Sequence, residues 1–242
     1  MSYRRRLLAE RRLLPLPLTR VIPILSDNHK TGTSINLPVI NCKPTRRCAA
    51  ACYACVGPIS WMNSIRKALI VDEALRKGEI EGLIWECRHL GDVRLNGSGD
   101  MGMVHVPSIL ALARACPVTV FWGFTRILDV ARAINRQHDN LSLIISFDAT
   151  SPDQRLPGYD GPLAFGPRRP RDKVPDDRRI IVVFPEHRVG HTMPGVPLHP
   201  KDCPATRGAE RRNACGRCRR CWRPFAAMES PEGQLEPGGD AT

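Results

Sequence analysis

Residues 118–147 read VTVFWGFTRILDVARAINRQHDNLSLIISF, and this stretch decides the fold class. Two unbroken apolar runs, at 118–124 and 141–147, flank a segment at 126–137 whose apolar residues recur at helical spacing. Strands that are apolar on both faces are typical of a parallel sheet that is covered on both sides. The stretch therefore predicts a strand–helix–strand unit of an α/β protein.

The same alternation extends along the chain in both directions. Residues 151–177 are rich in Pro, Gly, Asp and Arg and are predicted as a long loop. Because about five strands are too few for a closed eight-stranded barrel, an open sheet or an incomplete barrel is expected. We predict an incomplete (partial) parallel β/α barrel of about five to six strands. The remaining predicted elements are strands at 34–42, 92–96 and 179–185 and helices at 60–79 and 106–117.

We divide the chain of 242 residues into four segments. Residues 1–25 form a basic arm, in which two prolines end any short helix, and we predict a solvated tail. Residues 26–200 form the α/β core, 201–223 a cysteine-rich metal-binding segment, and 224–242 a flexible acidic tail. The net charge of +12 is concentrated in the basic arm and the cysteine-rich segment.

The composition excludes several classes of protein. Hydrophobic residues make up 42% of the chain, which supports a substantial core and excludes global disorder. No apolar run approaches the about 20 residues of a membrane span, so no membrane partner is expected. All ten cysteines except Cys87 and Cys116 fall in two groups, and the N-terminus lacks the pattern of a signal peptide. We therefore predict a cytoplasmic protein whose reduced thiols are gathered for metal.

The first cysteine group spans residues 42–55, which read CKPTRRCAAACYAC. Cys48, Cys52 and Cys55 lie at x3 and x2 spacing on one short loop, directly after a predicted strand. Three thiolate ligands leave one iron of a [4Fe–4S] cube open to another ligand, and we interpret these cysteines as metal ligands of such a cluster. The alternatives are a zinc loop and cysteines that are inert or joined in a disulfide. Cys42 is either a buried thiol at the end of the strand or a competing ligand.

A Gly-Ser-Gly-Asp turn at 97–100 follows the second predicted strand. Ligands of α/β proteins bind at the carboxyl ends of the strands. Gly97 and Gly99 would let backbone amides approach a ligand, and Asp100 can accept hydrogen bonds from an ammonium group. These three residues are candidate cofactor-binding residues, and Ser146 is a fourth because it lies near the end of another strand.

The second cysteine group lies in the cysteine-rich segment. Four cysteines without apolar periodicity are typical of metal ligands rather than of core residues. A Cys-x2-Cys-x2-Cys run with one remote cysteine is seen in ferredoxin-like cluster binding, so we expect a second, closed [4Fe–4S] cluster, with zinc as the alternative. The predicted ligands are Cys203, Cys215, Cys218 and Cys221.

Taken in order, these motifs resemble those of a known superfamily. Cys-x3-Cys-x2-Cys in a loop after a strand is similar to the signature of the radical S-adenosylmethionine (SAM) enzymes. The order SDNHKT, CAAACY, GSGD, FTR, FPEH, DCPAT and CGRCRRCW, over about residues 26–222, resembles that of radical SAM-like phage and bacterial proteins of the gene product 88 type. In that group the pattern is clearest for the cysteines at positions Cys42, Cys48 and Cys52 of this chain.

The resemblance implies an enzyme that uses SAM as a cofactor. It implies that the amino and carboxylate groups of SAM bind the open iron, and that one electron cleaves SAM to methionine and a 5′-deoxyadenosyl radical. This radical would abstract hydrogen from a substrate that is unknown. The resemblance places Gly99 and Asp100 at the amino group of SAM, with Asp in place of Glu. It also implies a reducing electron donor as a partner.

A second hypothesis belongs to a different class of protein. The chain would then be a non-catalytic zinc-binding protein with two cysteine sites, and it would bind nucleic acid through its basic ends. The two hypotheses differ at the first cysteine group, where tetrahedral zinc needs a fourth ligand that only Cys42 is placed to supply.

Overall fold

The computed structural model shows an α/β protein. It describes residues 1–14, 24–28, 32–151, 156, 158–188, 191–192, 199–203, 215 and 218–222. The acidic tail predicted at 224–242 lies outside these residues.

A seven-stranded sheet organises the described part of the chain. Its strands are Ser26–Asn28 (β1), Gly32–Ser34 (β2), Asp92–Leu95 (β3), Val120–Thr125 (β4), Leu141–Phe147 (β5), Leu163–Arg168 (β6) and Ile180–Pro185 (β7). Each strand pairs with the next one in sequence, antiparallel for β1 and β2 and parallel for every later pair. Strands β1 and β7 are the two edges, so the sheet is not closed. The α/β class and the mainly parallel sheet are confirmed, and the curvature of a partial barrel stays a prediction.

Helices connect the first parallel strands. They are Tyr3–Arg12 (α1), Arg46–Ala50 (α2), Met62–Lys77 (α3), Glu81–Cys87 (α4), Val106–Ala115 (α5) and Leu128–Ile134 (α6). Helices α3 and α4 lie between β2 and β3, α5 precedes β4, and α6 precedes β5. Helix α3 ends at Gly78, whose φ of 78° is the left-handed conformation that commonly ends helices. Two further strands of two residues each, His187–Arg188 (β8) and His191–Thr192 (β9), follow the sheet and pair antiparallel with each other.

The sheet buries side chains on both faces, as expected for parallel strands. Leu143 and its neighbours pack with the helices in the larger core cluster. Ile144 is the next residue of β5 and therefore points to the opposite face. There it forms a smaller cluster with Ala164, Ile181 and Val182, against which Phe124, Phe184, Cys203 and Cys221 pack.

The strand predicted at 34–42 is wrong beyond its first residue. Strand β2 ends at Ser34, although Ile35 and Leu37 still donate backbone hydrogen bonds to the chain around β3, at 2.9 and 2.8 Å. Pro38 then follows, and because it has no N–H it cannot continue a ladder. The chain turns instead into a 3-10 helix at Val39–Asn41, which leads directly to Cys42.

The loop predicted at 151–177 is also wrong, because it contains β6. Leu163, Ala164 and Phe165 are all buried, and they pair with both β5 and β7. Their apolar run is only three residues long and is followed by Gly166 and Pro167, so the composition of the stretch concealed it. Strands β1 and β6 were not among the five strands placed in the sequence, and with them the sheet has seven strands.

Within the described residues, no helix combines the length and the apolar character that a membrane span requires.

Candidate metal centre

The carboxyl ends of neighbouring parallel strands meet at one edge of the sheet. Strand β2 leads to the cysteine loop, which we define as residues 42–55, and β3 leads to the glycine turn, which we define as residues 96–100. The Thr45 hydroxyl donates a hydrogen bond to the Asp148 carboxylate, at 2.5 Å, from the cysteine loop to the end of β5. The fold thus brings together motifs that are far apart in sequence.

A short helix sets the position of Cys48. Thr45 is the N-cap of α2, and its hydroxyl accepts a hydrogen bond from the Cys48 amide at 3.1 Å. Because the same hydroxyl contacts Asp148, whose side chain is fully buried, α2 is fixed to the sheet. Cys52 then precedes a 3-10 turn at Tyr53–Cys55.

The four thiols of the cysteine loop form one electrostatic group around Cys52. Burial raises the pKa of Cys42, and the neighbouring Cys52 and Cys48 thiols raise it further. Burial also raises the pKa of Cys48, although the Arg126 guanidinium opposes this effect. A hydrogen bond between Cys52 and Cys55 raises the pKa of Cys52 and lowers that of Cys55. Cys42, Cys48 and Cys52 therefore share one region, and Cys55, which is buried, joins the group through Cys52.

The thiols do not form a ready site for a single ion. No disulfide bond joins any of the ten cysteines, all of which the structure describes. Among the described residues, no group of three or more His, Cys, Asp or Glu side chains is arranged to hold a metal ion.

Backbone hydrogen bonds fix the glycine turn against the chain that leads into the cysteine loop. The Leu37 amide donates to the Ser98 carbonyl at 2.8 Å, and the Ser98 hydroxyl donates to the Leu37 carbonyl at 3.0 Å. Gly99 has a φ of +69°, and a Cβ at this position would lie 2.3 Å from the Leu37 carbonyl oxygen. A Cβ at Gly97 would lie equally close to the Asn36 side chain. Both glycines are thus required by the close approach of two chain segments.

Asp100 connects the ends of β3 and β4. One carboxylate oxygen accepts hydrogen bonds from the Asn96 amide group, the Thr125 hydroxyl and the Met101 backbone, at 3.1, 2.7 and 2.9 Å. The other oxygen accepts one from the backbone amide of Arg126 at 2.9 Å. The side chain is 5% exposed, and burial raises its pKa to about 6 in spite of these donors. Asp100 lies at the expected edge, and its contact with the amino group of SAM stays a prediction.

The raised pKa of Asp100 predicts a pH dependence of stability. The folded chain holds this proton more tightly than the unfolded chain, in which the carboxyl has its ordinary pKa of 3.8. The contribution of Asp100 to the free energy of unfolding therefore falls as pH rises from about 4 to about 6. The full change is about 3 kcal/mol, at 1.36 kcal/mol per pKa unit. We compare the free energy of unfolding of Asp100→Asn with that of the native protein, by urea unfolding of the metal-free chain. From pH 4 to pH 7, we expect the difference to shift by about this amount in favour of the variant. A difference that does not change with pH would contradict the assignment.

Asn96 presents a buried acceptor that the sequence did not indicate. Its side-chain amide group donates to Asp100 and to the Phe124 carbonyl, at 3.1 and 3.0 Å, and these two bonds fix the orientation of the side chain. The carbonyl oxygen of the Asn96 side chain is buried and has no hydrogen-bond partner within the described residues. An acceptor of this kind, beside a carboxylate, fits an ammonium group.

Arg126 supplies positive charge beside Cys48. Its guanidinium lies 3.0 Å from the Asp148 carboxylate and donates to the Gly166 carbonyl at 3.1 Å. Although burial acts to raise the pKa of Asp148, hydrogen bonds from Thr150 and Thr45 and the charge of Arg126 hold it below its ordinary value, so Asp148 stays ionised. The predicted residue Ser146 lies on β5, two residues before Asp148, and is partly exposed.

Arg94 lies between the two cysteine groups, on the sheet face of the smaller core cluster. Its guanidinium carbon lies 5.9 Å from the ring centre of Tyr53 and 5.7 Å from those of Trp122 and Phe124, distances typical of cation–π contacts. The Tyr53 hydroxyl donates a hydrogen bond to the Asn96 backbone carbonyl at 3.4 Å. Tyr53 belongs to the cysteine loop, so Arg94 connects the loop to the sheet.

The second cysteine group packs on the same face. Cys203 donates a backbone hydrogen bond to Val183 at 2.9 Å, and Cys203 and Cys221 contact the smaller core cluster. Burial raises the pKa of Cys221, and the thiols of the other three predicted ligands raise it further. Burial also raises the pKa of Cys215, to about 11, and Arg94 opposes this. Most of the residues between these cysteines lie outside the described part of the chain.

The prediction that the basic arm is a solvated tail is wrong for residues 3–12. These residues form α1, in which Arg6 and Glu10 are fully buried. The two charges form an ion pair at 2.7 Å, and the Glu10 carboxylate accepts backbone hydrogen bonds from Val39 and Ile40 at 3.0 and 2.8 Å. The composition of the arm does not show which of its charged residues are buried. It therefore could not distinguish the buried ion pair from the exposed arginines.

The fold and the site define an α/β protein with an open, mainly parallel sheet and a cysteine-rich loop at the carboxyl edge of that sheet. A family model described as gene product 88 matches residues 23–224, and the chain therefore belongs to the gene product 88 family. No curated protein and no solved structure matches the chain. The family part of the predicted resemblance is confirmed, and the radical SAM part stays a prediction.

Proposed function

We propose that this protein is a radical SAM-like enzyme whose cysteine loop binds a [4Fe–4S] cluster through three thiolates and leaves one iron for SAM. The observation that carries the proposal is that Thr45, which caps the helix of Cys48, also bonds to Asp148 and so holds the cysteine loop at the carboxyl edge of the sheet. This is where α/β proteins bind ligands, and thiolates are the ligands of iron–sulfur clusters.

We propose Cys42 rather than Cys55 as the third ligand. Cys42 interacts with both Cys48 and Cys52, and its thiol also lies close enough to Asp100 to be influenced by that carboxylate. Cys55 is 3% exposed, and its thiol faces Cys52 and the α1 residue Arg6. We therefore assign Cys42, Cys48 and Cys52 as ligands, in place of the set with Cys55 that the spacing predicts.

The residues around the thiols fit both the cluster and SAM. When bound, the cluster supplies the electron that cleaves SAM to methionine and a 5′-deoxyadenosyl radical, which removes hydrogen from the substrate. The orphan oxygen of Asn96 and the neighbouring Asp100 would accept hydrogen bonds from the SAM ammonium group. Arg126 would offset the negative charge of the thiolates near Cys48, and the half-exposed ring of Tyr53 would shield the loop from water.

The remaining predicted roles complete the proposal. Gly97 and Gly99 hold the turn that carries Asp100, and Ser146 lies on the neighbouring β5; the contact of these three residues with SAM stays a prediction. The cysteines of the second group would bind a further [4Fe–4S] cluster or zinc and thereby stabilise the segment that they anchor to the sheet. Partners of the reaction would be a reducing electron donor and a substrate that is unknown.

Metal analysis of anaerobically purified protein tests the proposal against zinc. We expect brown protein that contains iron and sulfide, and we expect part of both to be lost in the Cys48→Ala/Cys52→Ala variant. The matched control is Cys87→Ala, which removes a buried thiol that lies in the larger core cluster. Colourless protein that holds stoichiometric zinc in both cysteine groups would overturn the proposal and favour the nucleic-acid-binding alternative.

A further inference from the structure

Helix α1 forms one wall of the cysteine loop, although it lies outside the part of the chain that the family model matches. The Tyr3 hydroxyl donates a hydrogen bond to the Val39 carbonyl at 3.1 Å. The Glu10 carboxylate accepts hydrogen bonds from the backbone amides of Val39 and Ile40, which lie just before the loop. The three thiols at Cys42, Cys48 and Cys52 lie close enough to Tyr3 to raise its pKa beyond the effect of burial. The helix therefore packs against the side of the loop that carries the proposed ligands.

Arg6 is the group on α1 whose contacts are incomplete. Its side chain is fully buried, its Nε donates to Glu10 at 2.7 Å, and its Nη1 donates to the Ile59 carbonyl at 2.7 Å. Its Nη2 is also buried, and it has no hydrogen-bond partner within the described residues. A buried guanidinium donor without an acceptor costs free energy, so such groups are normally satisfied in the functional state of a protein.

The cysteine sulfurs of the loop are candidate acceptors for this nitrogen. The positive charge of Arg6 acts on the thiols of both Cys52 and Cys55. A neutral thiol is a weak acceptor, whereas a thiolate bound to iron is negatively charged and accepts charge-assisted hydrogen bonds. Arg6 would thus gain its missing acceptor when the cluster binds.

We propose that Arg6 donates an N–H···S hydrogen bond from Nη2 to the Cys52 thiolate in the cluster-bound protein, and that this bond raises the reduction potential of the open cluster. The inference rests on the proposed function. Hydrogen bonds to the sulfurs stabilise the reduced, more negative cluster, which is why they are among the factors that set its potential. Arg6 is a positioning residue in this account, because it acts through the ligand.

A redox titration of the reconstituted full-length protein tests the proposal. The EPR signal that changes when SAM is added reports on the open cluster and not on the second cysteine group. In Arg6→Gln, we expect the ratio of reduced to oxidised open cluster at a fixed potential to fall at least tenfold, which corresponds to about 59 mV for one electron. The matched control is Arg5→Gln, which removes an exposed arginine from the same helix and should leave the ratio unchanged.

A second variant protects the test against misfolding, because Arg6→Gln leaves Glu10 buried without its partner. Arg6→Lys keeps the charge beside Glu10 but has only one nitrogen, and we expect at least a threefold fall in the same ratio. Potentials of Arg6→Lys and of any folded Arg6→Gln that equal that of Arg5→Gln would overturn the inference while leaving the proposed function intact. The absence of any SAM-responsive signal in the native protein would overturn the proposed function, and the inference with it.

Discussion

Gly99→Ala is expected to destabilise the metal-free protein by about 3 to 5 kcal/mol. A residue with a side chain is strained at a φ of +69°, at a cost of about 1–3 kcal/mol. The new Cβ would also lie 2.3 Å from the Leu37 carbonyl oxygen and 2.6 Å from that of Pro38. These are backbone atoms that cannot rotate away, so overpacking adds a cost of similar size. Urea unfolding under reducing conditions measures the effect.

Gly102→Ala is the matched control for this substitution. Gly102 lies three residues further along and has an ordinary φ of −98°. The nearest atom that an added Cβ would meet there is the His105 ring nitrogen, at 4.0 Å. We expect a change in the free energy of unfolding of less than about 1 kcal/mol, as for a glycine in a conformation that alanine also adopts. If the two variants were equally stable, the close packing of the glycine turn on Leu37 would be wrong.

The second large effect concerns the choice between Cys42 and Cys55. We expect Cys42→Ala to lower SAM cleavage by at least about 100-fold, because a cluster with two remaining protein ligands is not held at the site. We expect Cys55→Ala to retain cleavage within about tenfold, since this thiol contacts a ligand without being one. The measurement is 5′-deoxyadenosine formed from SAM and dithionite, with each variant reconstituted under nitrogen.

The opposite behaviour of the two variants would contradict the assignment of Cys42. Loss of cleavage in Cys55→Ala, with retention in Cys42→Ala, would restore the ligand set Cys48, Cys52 and Cys55 that the spacing predicts. Cys116→Ala serves as a control. Cys116 is the C-cap residue of α5, is buried in the larger core cluster and has no proposed role.

The sequence predicted the parts of the fold that have strong periodicity. The apolar runs at 118–124 and 141–147 correspond to β4 and β5 within two residues, because a strand buried on both faces must be apolar throughout. Strand β6 was missed because its apolar run is short and its partners are 17 or more residues away in sequence. Local patterns carry no information about such pairing, which tertiary packing decides.

The candidate site was predictable where chemistry requires a residue type. Cysteines at close spacing and a glycine-rich turn after a strand are visible in the sequence, and the fold brings both to one edge of the sheet. Asn96 and Arg6 were not predictable as site residues, because one asparagine before a turn and one arginine among several look ordinary in sequence. Their significance lies in buried atoms without partners, which only the packed structure reveals.

The decisive measurement is the formation of 5′-deoxyadenosine by the native protein. We expect protein reconstituted with iron and sulfide under nitrogen, then given dithionite and SAM, to form 5′-deoxyadenosine, and Cys48→Ala/Cys52→Ala to form none above the level without protein. Reconstituted native protein that contains the full complement of iron and sulfide, yet forms no more 5′-deoxyadenosine than that double variant, would contradict it.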